Sequence, residues 1–288
     1  MKSVSRIVLG VSLAAVGSLL AAAQEPPSPP KVLQITREFV KPGKAGALHD
    51  KSESAFVSAM ARAKWPTHYI ALNSLSGKLR ALYLVGYDSF AAWEQDNKAT
   101  DKNATLSAEV EKASVADGEL LDGFDQFVFT YDPDLSYRAN GDLSQARYVE
   151  VASIRIKPGH GKEFRELSQI FIDTHKKAGT SAHWATYEVA YGADDLYIIL
   201  SQDKSLADID TGFSEDKQFH DALGEDGLKK LRELEQDCIQ DSDSELFAIN
   251  PKQSYPPDAW VKAFPDFWKP KPAAPAAKPT VDPKKTAQ

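Results

Sequence analysis

The sequence predicts an α+β fold in which two βαββαβ units pack as an internal pseudo-dimer. A stretch made of an alternating strand, a Lys-Pro-Gly turn and the start of a helix occurs twice, at Val32–Leu48 and Tyr148–Phe164. Each unit also closes with a similar phrase, Phe129–Tyr137 and Phe247–Tyr255. A ferredoxin-like βαββαβ unit covers only one face of its sheet with helices. Two copies in one chain can therefore bury their bare faces by packing the two sheets on each other.

Length and composition fit this organisation. The chain has 288 residues, of which 42% are hydrophobic and 26% are charged, as in soluble proteins of two domains. Its formal net charge of −7 disfavours nucleic acid and anionic membrane surfaces as partners. The single cysteine, Cys238, excludes an intrachain disulfide and a cysteine-based zinc site.

The N-terminus has the pattern of a secretory signal peptide. Lys2 and Arg6 precede an apolar run that ends in small residues at Ala23. Cleavage there would leave no transmembrane segment, and we expect a periplasmic or secreted bacterial protein. An uncleaved membrane anchor is the alternative. Residues 24–30 form a Pro-rich, extended spacer.

The first unit spans residues 31–137, and alternation, helical spacing and turn residues mark its elements. On the predicted strand Val32–Val40, Leu33, Ile35 and Phe39 share one face, whereas Gln34, Thr36 and Glu38 share the other. Ser89 is a candidate N-cap for a short helix. The predicted strands are Val32–Val40, His68–Ser74, Leu79–Gly86 and Phe124–Tyr131, the predicted helices are Lys44–Lys64 and Leu106–Ser114, and Lys98–Thr105 is predicted to be a loop.

A polar linker, residues 138–146, leads to the second unit, residues 147–255. Its predicted strands are Tyr148–Ile156, His183–Ala190, Leu196–Ser201 and Glu245–Ile249, and its predicted helices are Lys162–Ala178 and Gly227–Cys238. The acidic run Asp237–Glu245 lacks the spacing of a calcium-binding loop and is predicted to be a solvated turn.

Residues 256–288 divide into two parts. Pro256–Trp268 is aromatic and is predicted to pack across a domain, with a lid over a ligand as the alternative. Lys269–Gln288 is rich in Pro, Ala and Lys and is predicted to be disordered.

The two strand–turn–helix openings, Val40-Lys41-Pro42-Gly43 and Ile156–Phe164, resemble the dimeric α+β barrel superfamily, particularly its antibiotic-biosynthesis-monooxygenase-like and NIPSNAP-like members. The resemblance covers about residues 31–255. It implies a barrel fold. The known members of this superfamily include cofactor-free monooxygenases, haem-degrading enzymes and haem peroxidases. The chain has no match to the Asn-Trp-His set of the haem-degrading members, because its first strands offer Gln34 and Glu150 instead of Asn.

Residues found at matching positions in both units are the candidate site. His68 and His183 each open a strand and precede an aromatic residue, Tyr69 or Trp184. A neutral histidine can act as a general base or an axial metal ligand, or it can form structural hydrogen bonds at a sheet edge. Tyr83 and Tyr197 are also candidates, with packing in the core as the alternative. Gln34 and Glu150 complete the set, with exposure to solvent as the alternative.

The remaining histidines, His49, His160, His175 and His220, are predicted to lie at the surface. The sequence contains no H-E-x-x-H, Gly-rich phosphate loop or G-x-S-x-G motif, and it predicts no metal site and identifies no cofactor.

Three functions remain open. The first is an exported protein that binds a small apolar or aromatic molecule between the sheets. The second is a monooxygenase-like or haem-dependent enzyme, and the third is a structural or interaction protein of the cell envelope. Self-association is compatible with each of them.

Overall fold

Eight antiparallel strands form a closed barrel in the computed structural model, which describes residues 28–269. The order around the barrel is β1-β3-β2-β8-β5-β7-β6-β4. The strands are β1 (Val32–Val40), β2 (Tyr69–Ser74), β3 (Arg80–Tyr87), β4 (Leu121–Tyr137), β5 (Tyr148–Ile156), β6 (Trp184–Tyr191), β7 (Leu196–Asp203) and β8 (Ile239–Ile249). The predicted signal peptide, most of the spacer and the tail beyond Lys269 lie outside the described residues.

Two seams join the halves of the barrel within one chain. Strands β1–β4 form one four-stranded half and β5–β8 form the other. One seam pairs β4 with β6 between Val128 and Tyr137. The other seam pairs β2 with β8 through only three residue pairs, from Leu72–Ile249 to Ser74–Phe247. The prediction of an α+β barrel is therefore confirmed.

The main helices cover the outside of the barrel. Helix α1 packs on α3 over the first half, and α4 packs on α5 over the second. The helices are α1 (Ala47–Ala63), α2 (Phe90–Lys102), α3 (Ala104–Gly118), α4 (Gly161–Ala178), α5 (Leu206–Cys238), α6 (Asp258–Ala263) and α7 (Pro265–Trp268).

Strand alternation assigns each residue to the barrel interior or to the helix layer. Leu33 and Ile35 on β1 join the main core inside the barrel, as do Val149 and Val151 on β5. Glu38 projects to the opposite face, where it meets His49 of α1 at 3.2 Å. The polar face of β1 therefore lies beneath helices, so a polar residue on it must find a partner there.

The barrel interior is filled in its middle and closed by ion pairs at the end where β1 finishes. Phe247 has no exposed surface, and the Arg80 guanidinium lies 5.6 Å from the centre of its ring. Arg37 donates two hydrogen bonds of 2.6 Å to Asp125, and Arg80 forms an ion pair with Glu245. Open space is thus left only toward the end where β1 begins.

Three predicted segments differ from the structure. The predicted loop Lys98–Thr105 is wrong, because α2 continues to Lys102 and α3 begins at Ala104. Asn103 separates the two helices, and its side chain accepts a hydrogen bond from the Leu106 amide as a new N-cap. No residue of α2 is buried, so its polar sequence indicates a surface helix and not a loop.

Helix α5 begins at Leu206, far before the predicted Gly227. Ser205 and Asp208 form a capping box at its start, and Gly224, with φ of 73°, kinks it near the predicted boundary. The solvated turn predicted over Asp237–Glu245 is also wrong. Strand β8 begins at Ile239 and pairs with β5 along this acidic segment, for example Asp241 with Arg155.

His49 is not at the surface as predicted, since only 2% of it is exposed. It lies in the first turn of α1 and points inward at the polar face of β1. His175 is half-buried beside Trp184, with ring centres 5.4 Å apart.

Candidate functional site

A cavity of about 560 Å³ occupies the barrel end at which β1, β2, β5 and β6 begin. Its walls are mainly aliphatic and aromatic side chains that face inward from seven strands. These include Leu33, Ile70, Leu84, Val149, Tyr187 and Leu200. Among residues 28–269, no Lys or Arg side chain lines the cavity, and Asp142 lies at its rim. The cavity therefore favours a neutral, largely apolar molecule over an anion.

The C-terminal segment, Pro256–Trp268, covers the mouth of this cavity. Trp260 and Ala263 of α6 line the cavity directly. Trp268 is buried behind them, 5.4 Å from Trp260 between ring centres, and its indole N–H donates to the Ser144 carbonyl at 2.9 Å. Arg147 stacks 3.8 Å above the ring of Phe267. The segment is thus packed on the barrel core and also forms the roof of the cavity.

His68 lies in the cavity wall just before β2. Its ring stacks at a tilt on Tyr255, with ring centres 4.9 Å apart. The Nδ1 atom of His68 is buried and has no hydrogen-bond partner. Since buried polar atoms normally have a partner, this nitrogen is available to a polar group of a bound molecule.

His183 borders the same cavity, but its ring nitrogens face two backbone carbonyl oxygens, of which a neutral imidazole can donate to one. Nε2 lies 2.7 Å from the Gln202 carbonyl oxygen, and Nδ1 lies 3.2 Å from the Ser181 carbonyl oxygen. The neighbouring Trp184 donates its indole N–H to the Leu135 carbonyl at 2.9 Å. These contacts hold the start of β6 in place and leave His183 less free than His68 to bind a ligand.

The other predicted site residues are not gathered in the cavity. Tyr69 borders it, but its ring packs near Tyr83 on the helix side of the sheet, at 6.2 Å between centres. Tyr197 packs on Phe164 beneath α4, with ring centres 4.5 Å apart. Tyr83, Tyr197, Gln34 and Glu150 all occupy the helix-facing positions of their strands.

Glu150 lies near the surface beside two ionisable side chains, Asp203 and His183. Burial raises the pKa of this carboxyl, Asp203 raises it further, and His183 lowers it. This arrangement brings Glu150 near His183 on the outside of the cavity wall, in a shallow depression that also includes Asp203.

Sequence reasoning missed the linker as a wall of the cavity, and it offered the C-terminal segment as a lid only as the alternative. Leu143 and Ser144 of the linker line it, together with Trp260. Aromatic enrichment of the C-terminal segment was the only signal available, and it does not specify where a segment packs.

Within the described range, we find no helix with the length and apolar character needed to cross a membrane.

No protein family and no curated protein matches this sequence. Among solved structures, a candidate monooxygenase from Fusobacterium nucleatum is 14% identical, with a TM-score of 0.52 over 77% of this chain and 93% of its own. A candidate monooxygenase from Lactobacillus acidophilus is 6% identical, with a TM-score of 0.46 over 77% of this chain and 94% of its own.

A mutant chlorite dismutase from Candidatus Nitrospira defluvii is 12% identical, with a TM-score of 0.47 over 82% of this chain and 96% of its own. At these identities only the fold is shared, and of these three structures the Fusobacterium nucleatum protein is the one with a TM-score above 0.5. The chain therefore shares the α+β fold of that protein.

Proposed function

We propose that the protein binds a small, neutral, largely apolar or aromatic molecule in the barrel cavity. The apolar cavity at the β1 end carries this proposal, since its volume of about 560 Å³ suits one drug-sized molecule. The ion pairs at the opposite end and the packed middle of the barrel support a single binding position. His68 adds an unpartnered polar atom to a largely apolar wall.

Filling the cavity should abolish binding. We expect the neutral fluorophore N-phenyl-1-naphthylamine to bind saturably, with one molecule per chain, in a fluorescence titration. Ala185→Trp places a large ring in the cavity wall and should weaken binding by more than about tenfold. Ala207→Trp, an exposed substitution on α5, is the matched control and should bind like the wild type. Equal binding by both variants would place the fluorophore elsewhere and refute the proposal.

The unpartnered His68 nitrogen should discriminate between ligands that differ by one polar group. His68→Ala should weaken binding of 1-naphthol by about fivefold, since a hydrogen bond contributes about 1 kcal/mol and every 1.4 kcal/mol is tenfold. Naphthalene, which cannot form that bond, should bind to both proteins with similar affinity. Competition against the fluorophore measures both constants. An equal change for the two ligands would show that His68 acts only through packing.

An oxygenase acting on the bound molecule is the second candidate. The Fusobacterium nucleatum structure that shares the fold is described as a candidate monooxygenase, and His68 provides a polar group at the cavity wall. Haem fits this cavity poorly, because its described lining offers no Lys or Arg to pair with the two propionates and His183 is bound to backbone carbonyls. Haemin should therefore produce no Soret band that depends on His68 or His183.

We also infer that the protein is exported, from its basic and apolar N-terminus. The strand order β4-β1-β3-β2 in one half and β8-β5-β7-β6 in the other supports two duplicated ferredoxin-like units. Self-association of the closed barrel is a further proposal that the mass of the purified protein in solution would test.

A further inference from the structure

Four polar side chains converge on the opposite side of β1 from the cavity. Glu38 comes from β1, His49 and Glu53 come from α1, and Asp117 comes from α3. One donor atom of each lies within 4.8 Å of one donor atom of every other. We call these four residues the acidic–histidine cluster. His49 and Glu53 share a helix face because they are four residues apart.

The cluster is buried without a cationic partner. His49, Glu53 and Asp117 are only 2–3% exposed, and the Glu38 side chain is 14% exposed. In the described part of the chain, no Lys or Arg forms an ion pair with these three carboxylates; Glu38 and Asp117 pair only with His49. Burying uncompensated carboxylates is costly. Burial accordingly raises the pKa of Glu53, the negative charges of Glu38 and Asp117 raise it further, and it reaches about 9.

Several atoms around the cluster have no hydrogen-bond partner. They include Glu53 Oε1 and Asp117 Oδ1, both from side chains that are at least 97% buried. The Tyr83 hydroxyl, from a residue that is 8% exposed, also has none. It faces Glu53. Burial is the main cause that raises the pKa of Tyr83, and the nearby charge of Glu53 raises it further. Unpartnered buried acceptors that point at one another indicate a missing positive group.

The other half of the barrel shows that the fold does not require polar residues here. Ile154 holds the seventh position of β5, as Glu38 does of β1. The space between that sheet and helices α4 and α5 is filled by apolar side chains, including Phe164, Leu167 and Leu234. An apolar filling would avoid the cost of buried charge, so the cluster indicates a binding role and not a packing requirement.

We propose that the acidic–histidine cluster binds one divalent transition-metal ion, such as Mn²⁺ or Zn²⁺. Three carboxylates and one imidazole form a mixed oxygen and nitrogen donor set that suits these ions. Metal–ligand bonds of about 2.0–2.2 Å place two donors on one ion at most about 4.4 Å apart. Four donors around one ion lie mostly about 3–3.5 Å apart, so the widest pairs of the cluster, which are separated by up to 4.8 Å, close by about 1 Å through side-chain rotation. Binding releases the proton that Glu53 holds in the metal-free protein, and a divalent ion then offsets two of the three carboxylate charges.

Gln253 positions the imidazole from behind. It is fully buried, and its side-chain nitrogen lies 3.3 Å from His49 Nδ1 and 3.1 Å from Asp50. His49 Nε2 faces the carboxylates, 3.2 Å from Glu38. Coordination through Nε2 moves the ring proton to Nδ1, where the unpartnered Oε1 of Gln253 can accept it once the amide turns over. Asp50 then loses its contact with Gln253 but keeps those to Asn250 and Lys252.

Metal binding to the full chain tests the proposal directly. Protein treated with EDTA and dialysed should bind one Mn²⁺ or Zn²⁺ per chain by calorimetry and elemental analysis, with a rise in melting temperature. Asp117→Asn and Glu53→Gln keep the side-chain shape and remove a buried charge, so both should fold. Each should weaken binding on the order of 100-fold, at least the loss seen when supporting residues of metal sites are removed.

Asp173→Asn is the matched control, since its side chain is 63% exposed on α4, and it should bind metal like the wild type. Absence of binding to the wild type would overturn the proposal, as would equal affinity of Asp117→Asn and the control. Binding of N-phenyl-1-naphthylamine should be unchanged in Asp117→Asn, because the cavity lies on the other face of β1. Failure of the metal site is thus distinguishable from failure of the cavity.

Discussion

Trp268→Ala should lower the free energy of unfolding by about 3–5 kcal/mol, the range for removing a buried aromatic side chain. Trp268 is 4% exposed and belongs to the main barrel core. Its ring contacts Trp260 and Phe267, with ring centres 5.4 Å and 5.0 Å away, and its N–H bonds to Ser144. The substitution leaves a void and an unpaired carbonyl. Urea denaturation followed by circular dichroism measures the change.

Phe213→Ala provides the control for this prediction, because Phe213 is 71% exposed on α5. Its effect should stay within about 0.5 kcal/mol, as for most surface substitutions. A loss below about 1 kcal/mol for Trp268→Ala would contradict the assignment of the C-terminal segment to the folded barrel. If the segment is the roof, the same variant should also weaken N-phenyl-1-naphthylamine binding.

Glu53→Gln should make the metal-free protein less sensitive to pH. The pKa of Glu53 is about 9 in the folded protein, against an ordinary value of 4.5. Between these values the unfolded chain releases this proton whereas the folded chain keeps it, so stability falls as the pH rises. Gln does not titrate and removes this fall, which amounts to at most about 4 kcal/mol between pH 5 and pH 8. The variant should therefore be more stable than the wild type at pH 8.

Urea unfolding in EDTA at pH 5 and pH 8 provides the measurement. Glu94→Gln is the matched control, because that side chain is 64% exposed and pairs with Lys98 at the surface. Its pH dependence should follow the wild type. If Glu53→Gln also followed the wild type, Glu53 would be ionised in the folded protein at neutral pH, and some cationic group would have to lie beside it.

The sequence predicts strands better than polar helices in this chain. Strands β1 and β5 begin and end at the predicted residues, because alternation and the Lys-Pro-Gly turns mark both ends. Helix α2 and the first part of α5 lie on the surface with few buried residues, so their apolar periodicity is weak. Strand β8 carries its acidic residues where pairing with β5, and not hydrophobicity, sets the conformation.

The candidate sites were also predicted only in part from the sequence. Pairing of His68 and His183 was visible in the sequence, and both border the cavity. The acidic–histidine cluster was not, because Glu38 alternates like a solvent-facing residue and Asp117 lies in a helix of weak periodicity. Only the packing of α1 on α3 and the contact of His49 with Glu38 of β1 bring these groups together. No spacing rule in a single sequence encodes that tertiary contact.

The short seam between β2 and β8 has a consequence for folding. Its three residue pairs join positions near 72 to positions near 249, so almost the whole barrel separates the two strands along the chain. Closing such a long loop costs chain entropy, and the few residue pairs of this seam offset little of that cost. During synthesis, the edge of β2 stays unpaired until β8 has emerged, and the nascent first half presents an open strand edge that can pair with another chain. The completed barrel removes that edge, so aggregation risk belongs to the growing chain more than to the finished protein.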